Sequence, residues 1–306
     1  MNRTHFSAAL LHPRYWLFWL GAGVWFLLAQ LPYRWQMWLA KKAAPLLYLN
    51  KKRINYGRIN LQHCFPDLSE QEREVMLKKN AESMSAAMFE TGIGWFWPQW
   101  RLRKLHRITG KEHLEQAEKD GVGVLLLTTH FSTLDIGSAF LGCNTEFDGL
   151  YRPHSNAVYD YLQRKGRESY CKSGIAIPRD SVRTMIAHLR RGRAVWYAPD
   201  RDLGPKNSVF VDFFGVPTAM ITATSKIVQL GKARVIPFTQ FRRDDGSGYD
   251  LVIHPPFEDF PSGDEVADTQ RIAAFMEGEI AKAPEQYFWA QQRFKTRPEG
   301  EDSFYE

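Results

Sequence analysis

The chain has 306 residues, of which 40 are basic and 34 acidic, so its formal charge at pH 7 is +6. Hydrophobic residues make up 44% and aromatic residues 14% of the sequence, which excludes an intrinsically disordered protein. The mean hydropathy of −0.39 excludes a polytopic membrane protein but leaves room for one membrane segment. Cys64, Cys143 and Cys171 lack the number and spacing of a disulfide framework or a zinc site, which fits a reducing compartment.

The first predicted element is an apolar segment near the amino terminus. Residues 15–31 read YWLFWLGAGVWFLLAQL and contain no charged side chain. About 20 apolar residues span a bilayer, with a lower limit of roughly 17, so this segment predicts a short membrane-spanning helix or one inserted into a single leaflet. A cleaved signal peptide is the alternative, although the apolar stretch is longer than signal peptides usually carry. Basic residues are more numerous after the segment than before it, which favours a cytoplasmic position for the rest of the chain.

Residues 32–60 combine aromatic side chains with clustered lysine and arginine. This composition suits the interface of a membrane with anionic lipid head groups, and a solvated helical face is the alternative. Nucleic acid would also explain the positive charge, but it would not explain the apolar segment beside it, so we expect no nucleic-acid partner. The sequence therefore predicts a membrane anchor and interfacial segment over residues 1–45 and one folded domain over residues 46–306.

Helices and strands alternate through the rest of the chain. Ser69 and Glu72 have the spacing of a capping box that opens a helix toward Phe89, and residues 92–98 (GIGWFWP) predict a loop or short helix. Further strands are predicted over residues 122–128, 194–198, 234–241 and 249–254, and further helices from residue 131 onward and over residues 182–190, 219–230 and 270–282. The pattern predicts an α/β fold with a mostly parallel or mixed sheet flanked by helices, in which ligands bind at the carboxyl ends of strands.

His130 and Asp135 form an H-x-x-x-x-D pair directly after the predicted strand over residues 122–128. In a regular helix these two side chains would point about 140° apart, so His130 must lie in the turn before the helix to meet Asp135. A carboxylate on one imidazole nitrogen would fix the tautomer and leave the other nitrogen as a general base. A histidine that only caps the helix is the structural alternative.

Several catalytic motifs are absent from the sequence. It contains no G-x-S-x-G elbow, no H-E-x-x-H zinc motif and no P-loop. A histidine–aspartate base without a nucleophile of its own suits direct attack by a substrate hydroxyl on an activated acyl group.

The sequence resembles the late acyltransferases of lipid A biosynthesis, the family of lauroyl, myristoyl and palmitoleoyl transferases, over nearly its whole length. The segments that carry the resemblance are LLHPRYWLFWLG (10–21), INLQHCFPDLSEQER (59–73), ETGIGWFWP (90–98), THFSTLD (129–135), YRPHSN (151–156), VWYAPDRDLGPKNSVFVDFFGV (195–216) and APEQYFWAQQRFKTRP (283–298). The H-x-x-x-x-D pair alone is also shared with glycerolipid acyltransferases, which implies a fold like theirs for the acyltransferase domain.

The resemblance implies transfer of a fatty acyl chain from acyl carrier protein to a hydroxyl on an acyl chain of Kdo-bearing lipid IVA. From the overall similarity we expect the transferred chain to be lauroyl. The reaction would take place at the cytoplasmic face of the bacterial inner membrane. His130 would take the proton from the hydroxyl and Asp135 would orient His130, without a covalent acyl-enzyme, a cofactor or a metal.

The resemblance also implies roles for further polar residues. Arg152 and Arg167 would bind phosphate or carboxylate groups of the substrate or polarise the thioester oxygen. Asp200 and Asp202 follow a strand end, and we expect them to form an ion pair with a site arginine rather than to bind a metal. The basic tail at residues 293–297 predicts a site for phosphate or for the acidic carrier protein, with a solvated tail as the alternative.

Two other functions are compatible with parts of this pattern. A glycerolipid acyltransferase would use the same histidine–aspartate pair, and a basic peripheral membrane or nucleic-acid-binding protein would keep that pair only for structure. The direct succession of strand and His130 argues against the second alternative.

Overall fold

The fold is built on a central, mostly parallel β-sheet. In a computed structural model, which describes residues 4–305, this sheet has seven strands in the order β1-β9-β8-β2-β5-β3-β4, and β6 and β7 form a separate antiparallel hairpin. All neighbours in the sheet run parallel except β8 and β9, which confirms the predicted mixed α/β fold. The strands are β1 (His106–Thr109), β2 (Gly123–Leu127), β3 (Phe147–Tyr151), β4 (Ala176–Pro178), β5 (Ala194–Tyr197), β6 (Ser208–Phe213), β7 (Val216–Ile221), β8 (Ala233–Arg242) and β9 (Tyr249–Ile253).

Helices cover both faces of the sheet. They are α1 (Trp16–Ala29), α2 (Tyr33–Ala43), α3 (Lys51–Cys64), α4 (Glu70–Phe96), α5 (Gln99–Leu102), α6 (Lys111–Lys119), α7 (Leu134–Gly142), α8 (Ala157–Glu168), α9 (Val182–Leu189), α10 (Ala223–Gly231) and α11 (Glu265–Lys282). Short 3-10 turns occupy Ala8–Leu11, Pro13–Tyr15, Ala44–Leu49 and Pro284–Gln286.

The central strand β2 is buried on both faces. Leu125 and Leu127 belong to the hydrophobic cluster that packs under α9, α10 and α11, whereas Val124 and Leu126 belong to the cluster under α6 and α7. A strand covered on both faces reads as an uninterrupted apolar run rather than as an alternating one. This is why the run over residues 122–128 predicted the strand correctly.

Helix α4 begins at the predicted capping box and runs further than predicted. The Ser69 hydroxyl accepts from the Glu72 amide at 3.3 Å, and the Glu72 carboxylate accepts from the Ser69 amide at 2.8 Å. The loop or short helix predicted over residues 92–98 is wrong, because the helix continues to Phe96. The glycines of this segment give room for close packing: a Cβ at Gly92 would lie 2.8 Å from the indole nitrogen of Trp25 in α1.

The predicted helix over residues 219–230 is partly wrong. Residues 219–221 belong to strand β7, and α10 begins only at Ala223. The two-residue turn Phe214-Gly215, with φ of 54° and 75°, closes the β6–β7 hairpin and pairs Ala219 with Phe210. Positive φ at both central residues matches the twist of a tight hairpin, and it directs the chain into a strand before the helix can start.

The apolar segment at the amino terminus forms a shorter helix than predicted. Helix α1 has 14 residues, and the chain turns at Gln30 before Pro32 caps α2. At a rise of about 1.5 Å per residue α1 is about 21 Å long, whereas the hydrocarbon core of a bilayer is about 30 Å thick. Within residues 4–305 we find no helix long and apolar enough to cross a membrane, so the predicted spanning helix is not present there.

Candidate active site

His130 lies in the loop that follows the central strand. Strands β2 and β5 are parallel neighbours, so their carboxyl ends meet at the same edge of the sheet. The amide of Thr128 donates to the carbonyl oxygen of Tyr197 at 2.9 Å, which extends the pairing one residue past β2. The loop after β5 carries Asp200 and therefore runs beside the loop that carries His130.

His130 and Asp200 form a two-point contact. The backbone amide of His130 donates to Asp200 Oδ2 at 2.9 Å, and its ring Nδ1 lies 2.5 Å from Asp200 Oδ1. Asp200 is fully buried, whereas a quarter of the His130 side chain is exposed. An ionised carboxylate can only accept a hydrogen bond, so Nδ1 of His130 carries the proton that is donated to Asp200. The lone pair of the neutral ring is therefore on Nε2.

The surroundings of Asp200 keep its carboxylate ionised. Burial opposes ionisation, but the charge and hydrogen bonds of His130, together with the charge of Arg293, outweigh it and hold the pKa of Asp200 below its usual value. Arg293 is itself fully buried, with its guanidinium carbon 4.7 Å from the centre of the Phe213 ring. An ionised carboxylate behind an imidazole both orients the ring and stabilises the imidazolium that forms when Nε2 takes a proton.

The carboxyl-terminal segment forms backbone hydrogen bonds with the loop that carries His130. The amide of Phe288 donates to the His130 carbonyl at 3.0 Å, and the amide of Ser132 donates to the Gln286 carbonyl at 2.7 Å. The buried side chain of Asn80 donates in turn to the carbonyl of Tyr287 at 2.7 Å. These backbone contacts fix the loop, so the His130 ring is supported on a rigid frame.

Asp135 does not contact His130, so the predicted pairing is wrong. Arg167 of α8 donates to Asp135 Oδ1 from Nε at 3.0 Å and from Nη2 at 2.7 Å, and we find no hydrogen bond or ion pair from Asp135 to His130 in residues 4–305. The physical reason is that Asp200 draws the His130 ring toward the end of β5, whereas Asp135 lies in the first turn of α7 and faces α8.

The Asp135–Arg167 pair lines a narrow cavity of about 30 Å³. The remaining lining is mostly apolar and comes from β3, β4, β5 and α7: Leu134, Ser138, Phe147, Gly149, Leu150, Ile175, Ala176 and Trp196. Both members of the pair are three-quarters or more buried. The site therefore presents a hydrogen-bonded His130–Asp200 pair and a separate Asp135–Arg167 ion pair beside this cavity.

Neither Arg152 nor Asp202 takes part in these two pairs. Arg152 is exposed, and the structure shows no ion pair for it within the described range. Asp202 accepts from the Gly204 amide at 2.9 Å and from the Thr296 amide and hydroxyl at 2.6 and 2.9 Å. The expectation that Asp200 and Asp202 would form ion pairs with a site arginine is wrong, because His130 and Thr296 take their oxygens instead.

The predicted basic tail also separates into different environments. Arg293 is fully buried, and Arg297 pairs with Glu301 and donates to the Pro217 carbonyl. Only Lys295 of the three is exposed to solvent. Among residues 4–305 no cluster of three or more His, Cys, Asp or Glu side chains is arranged to hold a metal ion.

Sequence reasoning selected Asp200 but missed that it is the partner of His130. The available signal was that the TH and APD segments, which carry these two residues, both directly follow predicted strands. That signal identifies a contact only once β2 and β5 are known to be neighbours, and strand order cannot be read from local patterns.

Known proteins match this chain along almost its entire length. The family described as bacterial lipid A biosynthesis acyltransferase matches residues 3–296. A protein named lipid A biosynthesis lauroyltransferase from Escherichia coli (strain K12) is 43% identical over 313 aligned residues, covering 99% of each chain. The palmitoleoyltransferase of the same organism is 40% identical and covers 98% of each chain, and its myristoyltransferase is 29% identical and covers 97% of this chain and 92% of its own.

These matches cover the strand, loop and helix segments that build the site. A family match across the chain, together with relatives at 40–43% identity over almost their full length, shows that this protein belongs to the bacterial lipid A biosynthesis acyltransferases and is an acyltransferase.

Proposed function

We propose that this enzyme transfers a fatty acyl chain from the thioester of acyl carrier protein to a hydroxyl on an acyl chain of Kdo-lipid IVA. The observation that supports it most directly is the contact between His130 Nδ1 and the buried Asp200 carboxylate at 2.5 Å. That contact leaves Nε2 as the basic nitrogen of a partly exposed ring, as direct attack by a substrate hydroxyl requires.

In the proposed reaction His130 Nε2 takes the proton as the acceptor oxygen bonds to the thioester carbonyl carbon. The carbon–sulfur bond then breaks, and the imidazolium returns the proton to the departing thiolate, so that the products are an ester and a thiol. No group on the enzyme is acylated. A thioester is already activated, so a correctly placed base and correct positioning supply much of the rate enhancement.

We assign the Asp135–Arg167 pair to positioning around the acyl group. Asp135 holds the guanidinium of Arg167 beside the cavity described above, where a cation can stabilise the oxyanion that develops on the thioester oxygen. Exposed Arg152 is proposed to contact an anionic group of the acceptor, and Asp202 to hold the carboxyl-terminal segment in place.

Lauroyl is the acyl chain we propose. The supporting observation is the 43% identity to a protein named lauroyltransferase, against 40% for the palmitoleoyltransferase and 29% for the myristoyltransferase.

The test offers the purified enzyme an equimolar mixture of lauroyl, myristoyl and palmitoleoyl thioesters of acyl carrier protein with Kdo-lipid IVA. Mass spectrometry of the lipid product should show addition of one lauroyl group as the main species. Addition of another chain would contradict the lauroyl assignment alone. Acylation of a glycerophosphate, offered in a parallel reaction, with none on Kdo-lipid IVA would contradict the proposed acceptor.

The enzyme is also proposed to attach to the cytoplasmic face of the inner membrane through residues 1–45, leaving residues 46–306 as the acyltransferase domain. Helix α1 exposes a broad apolar surface, and Trp35 and Trp38 of α2 are also exposed beside Lys41 and Lys42. The exposed side chains of α1 are Trp16, Leu17, Phe18, Leu20, Val24, Phe26, Leu27 and Leu28. Apolar side chains flanked by tryptophan and lysine favour insertion into one leaflet of an anionic membrane.

Replacing three exposed leucines of this surface should release the enzyme from membranes. In flotation with vesicles of phosphatidylethanolamine and phosphatidylglycerol, the wild type should float with the lipid and Leu17→Glu/Leu20→Glu/Leu27→Glu should stay at the bottom, because glutamate is costly to bury in hydrocarbon. Val266→Glu, at a half-exposed valine of α11, is the control for a carboxylate added outside this surface and should float like the wild type. Equal flotation of the triple variant would exclude attachment through α1.

A further inference from the structure

A cationic cavity of about 470 Å³ is lined in part by the loop that follows β5, which also carries Asp200. Its charged lining consists of Lys52 and Arg53 from α3, Arg201, Lys295 and Asp202. Arg201 follows Asp200 directly in the chain, and consecutive Cα atoms are about 3.8 Å apart. One residue of the cavity lining is therefore the chain neighbour of the carboxylate that orients the proposed base.

The positive charge of this cavity is not balanced by the protein. Asp202, the carboxylate in the lining, already accepts from Gly204 and Thr296. Within the part of the chain that the structure describes, Lys52, Arg201 and Lys295 are exposed and have no ion pair. The Arg53 guanidinium donates to the carbonyl of Ala290 at 2.8 Å. Four cations gathered around a concave surface favour a multiply charged anion.

Two exposed leucines lie close in the chain to residues that line the cavity, and they indicate which kind of anion it binds. Leu49, the residue before Asn50 in the lining, is 79% exposed, and Leu203, two residues after Arg201, is 62% exposed. Exposed leucines beside a cationic recess suit an amphiphile whose charged head enters the recess while its apolar part stays at the rim. A guanidinium binds the oxygens of a phosphate in a bidentate manner, so a phosphate group fits the cations that are present.

We propose that this cavity binds a phosphate group of the lipid A-type acceptor and thereby places the acceptor hydroxyl at His130. The inference rests on the proposed function, because it assigns the acceptor of that reaction to a particular recess. Arg201 couples the two sites, since its backbone is fixed through the hydrogen bonds of Asp200 to His130.

The test removes three charges of the cavity in Lys52→Gln/Arg201→Gln/Lys295→Gln. Each lost charge-assisted contact should weaken binding about tenfold at most, so we expect KM for bisphosphorylated Kdo-lipid IVA to rise about 10- to 100-fold while kcat changes less than about threefold. Removal of the phosphates from the acceptor should raise KM of the wild type to a similar value and should abolish the difference between wild type and variant. The KM for the acyl carrier protein thioester should not change.

The matched control is Lys119→Gln/Arg191→Gln/Lys232→Gln. These exposed residues precede the amino ends of β2, β5 and β8, at the edge of the sheet opposite His130. The control carries the same change of net charge, so its KM for the acceptor should stay within about twofold of the wild-type value, as expected when charges are far from the ligand.

Three results would overturn the assignment. One is an unchanged acceptor KM in the cavity variant, and another is an equal rise in the control variant. The third is a rise of only the donor KM, which would assign the cavity to the phosphate or carboxylates of the acyl carrier protein.

A binding measurement separates failure of this assignment from failure of the proposed function. Calorimetric titration with inorganic pyrophosphate requires no turnover, and the wild type should bind at least about tenfold more tightly than the cavity variant. Equal binding by both would overturn the cavity assignment and leave the proposed reaction standing. Unequal binding in an enzyme that acylates no lipid A precursor would support a phosphate site and contradict the proposed reaction.

Discussion

Replacing His130 with alanine should lower kcat for acyl transfer by about 10²- to 10⁴-fold, the usual contribution of a general base. Without the imidazole neither Asp200 nor Asp135 is placed to take the proton from the attacking hydroxyl, since Asp200 is fully buried and Asp135 pairs with Arg167. The measurement is steady-state transfer from lauroyl-acyl carrier protein to Kdo-lipid IVA, with the product quantified by mass spectrometry.

The fold should survive this replacement, because the His130 side chain is partly exposed and its backbone contacts do not depend on the ring. Thermal unfolding followed by circular dichroism should therefore stay cooperative, with a lower midpoint because the buried Asp200 carboxylate loses the His130 ring as a hydrogen-bond partner. His113→Ala, on α6 and away from the carboxyl ends of the strands, is the control for loss of an imidazole. Turnover of His130→Ala at the wild-type rate would rule out the proposed mechanism.

Asp200→Asn should be nearly as damaging as loss of His130, with kcat reduced by about 10²- to 10⁴-fold. Asparagine has almost the same shape, but its amide group can donate to Nδ1, which would turn the ring to the tautomer whose Nε2 carries the proton. The carboxylate that would stabilise the imidazolium is lost as well. Asp135→Asn should cost less, about tenfold, because it only loosens the hold on Arg167.

Double variants distinguish the two carboxylates. Asp200→Asn should add almost nothing to His130→Ala, and Asp135→Asn should add almost nothing to Arg167→Gln, because effects within one functional pair are not additive. The crossed combination of Asp135→Asn with Asp200→Asn should be close to additive on a logarithmic scale. The opposite coupling, between Asp135 and His130, would restore the pairing predicted from the H-x-x-x-x-D spacing and contradict the contacts described above.

The elements around the site could be predicted because each carries a local signal. The uninterrupted apolar run before His130 predicted β2, and the Ser69 and Glu72 spacing predicted the start of α4. A strand buried on both faces and a capping box can both be identified from residues that are close together in the chain. The segments shared with lipid A acyltransferases could also be recognised in the sequence, and the family comparison confirms that resemblance.

The errors occurred where a local pattern has two physical outcomes. The apolar run over residues 15–31 fits a spanning helix by composition, yet the turn before Pro32 ends α1 after 14 residues. The glycines of residues 92–98 read as helix breakers, but Gly92 and Gly94 give room for packing against Trp25 and α7. In the second case the outcome depends on neighbours that are distant in the chain.

The sequence by itself determined the α/β character of the fold, the position of His130 after a buried strand and the membership in an acyltransferase family. Only the tertiary structure decided that Asp200, 70 residues away, contacts His130, that Asp135 belongs to Arg167, and that Lys52, Arg201 and Lys295 line one cavity. The physical reason is that helix and strand periodicity depends on residues a few positions apart, whereas these contacts depend on which strands are neighbours in the sheet. The order β8-β2-β5 places the two loops side by side, and that order follows from the packing of the whole chain.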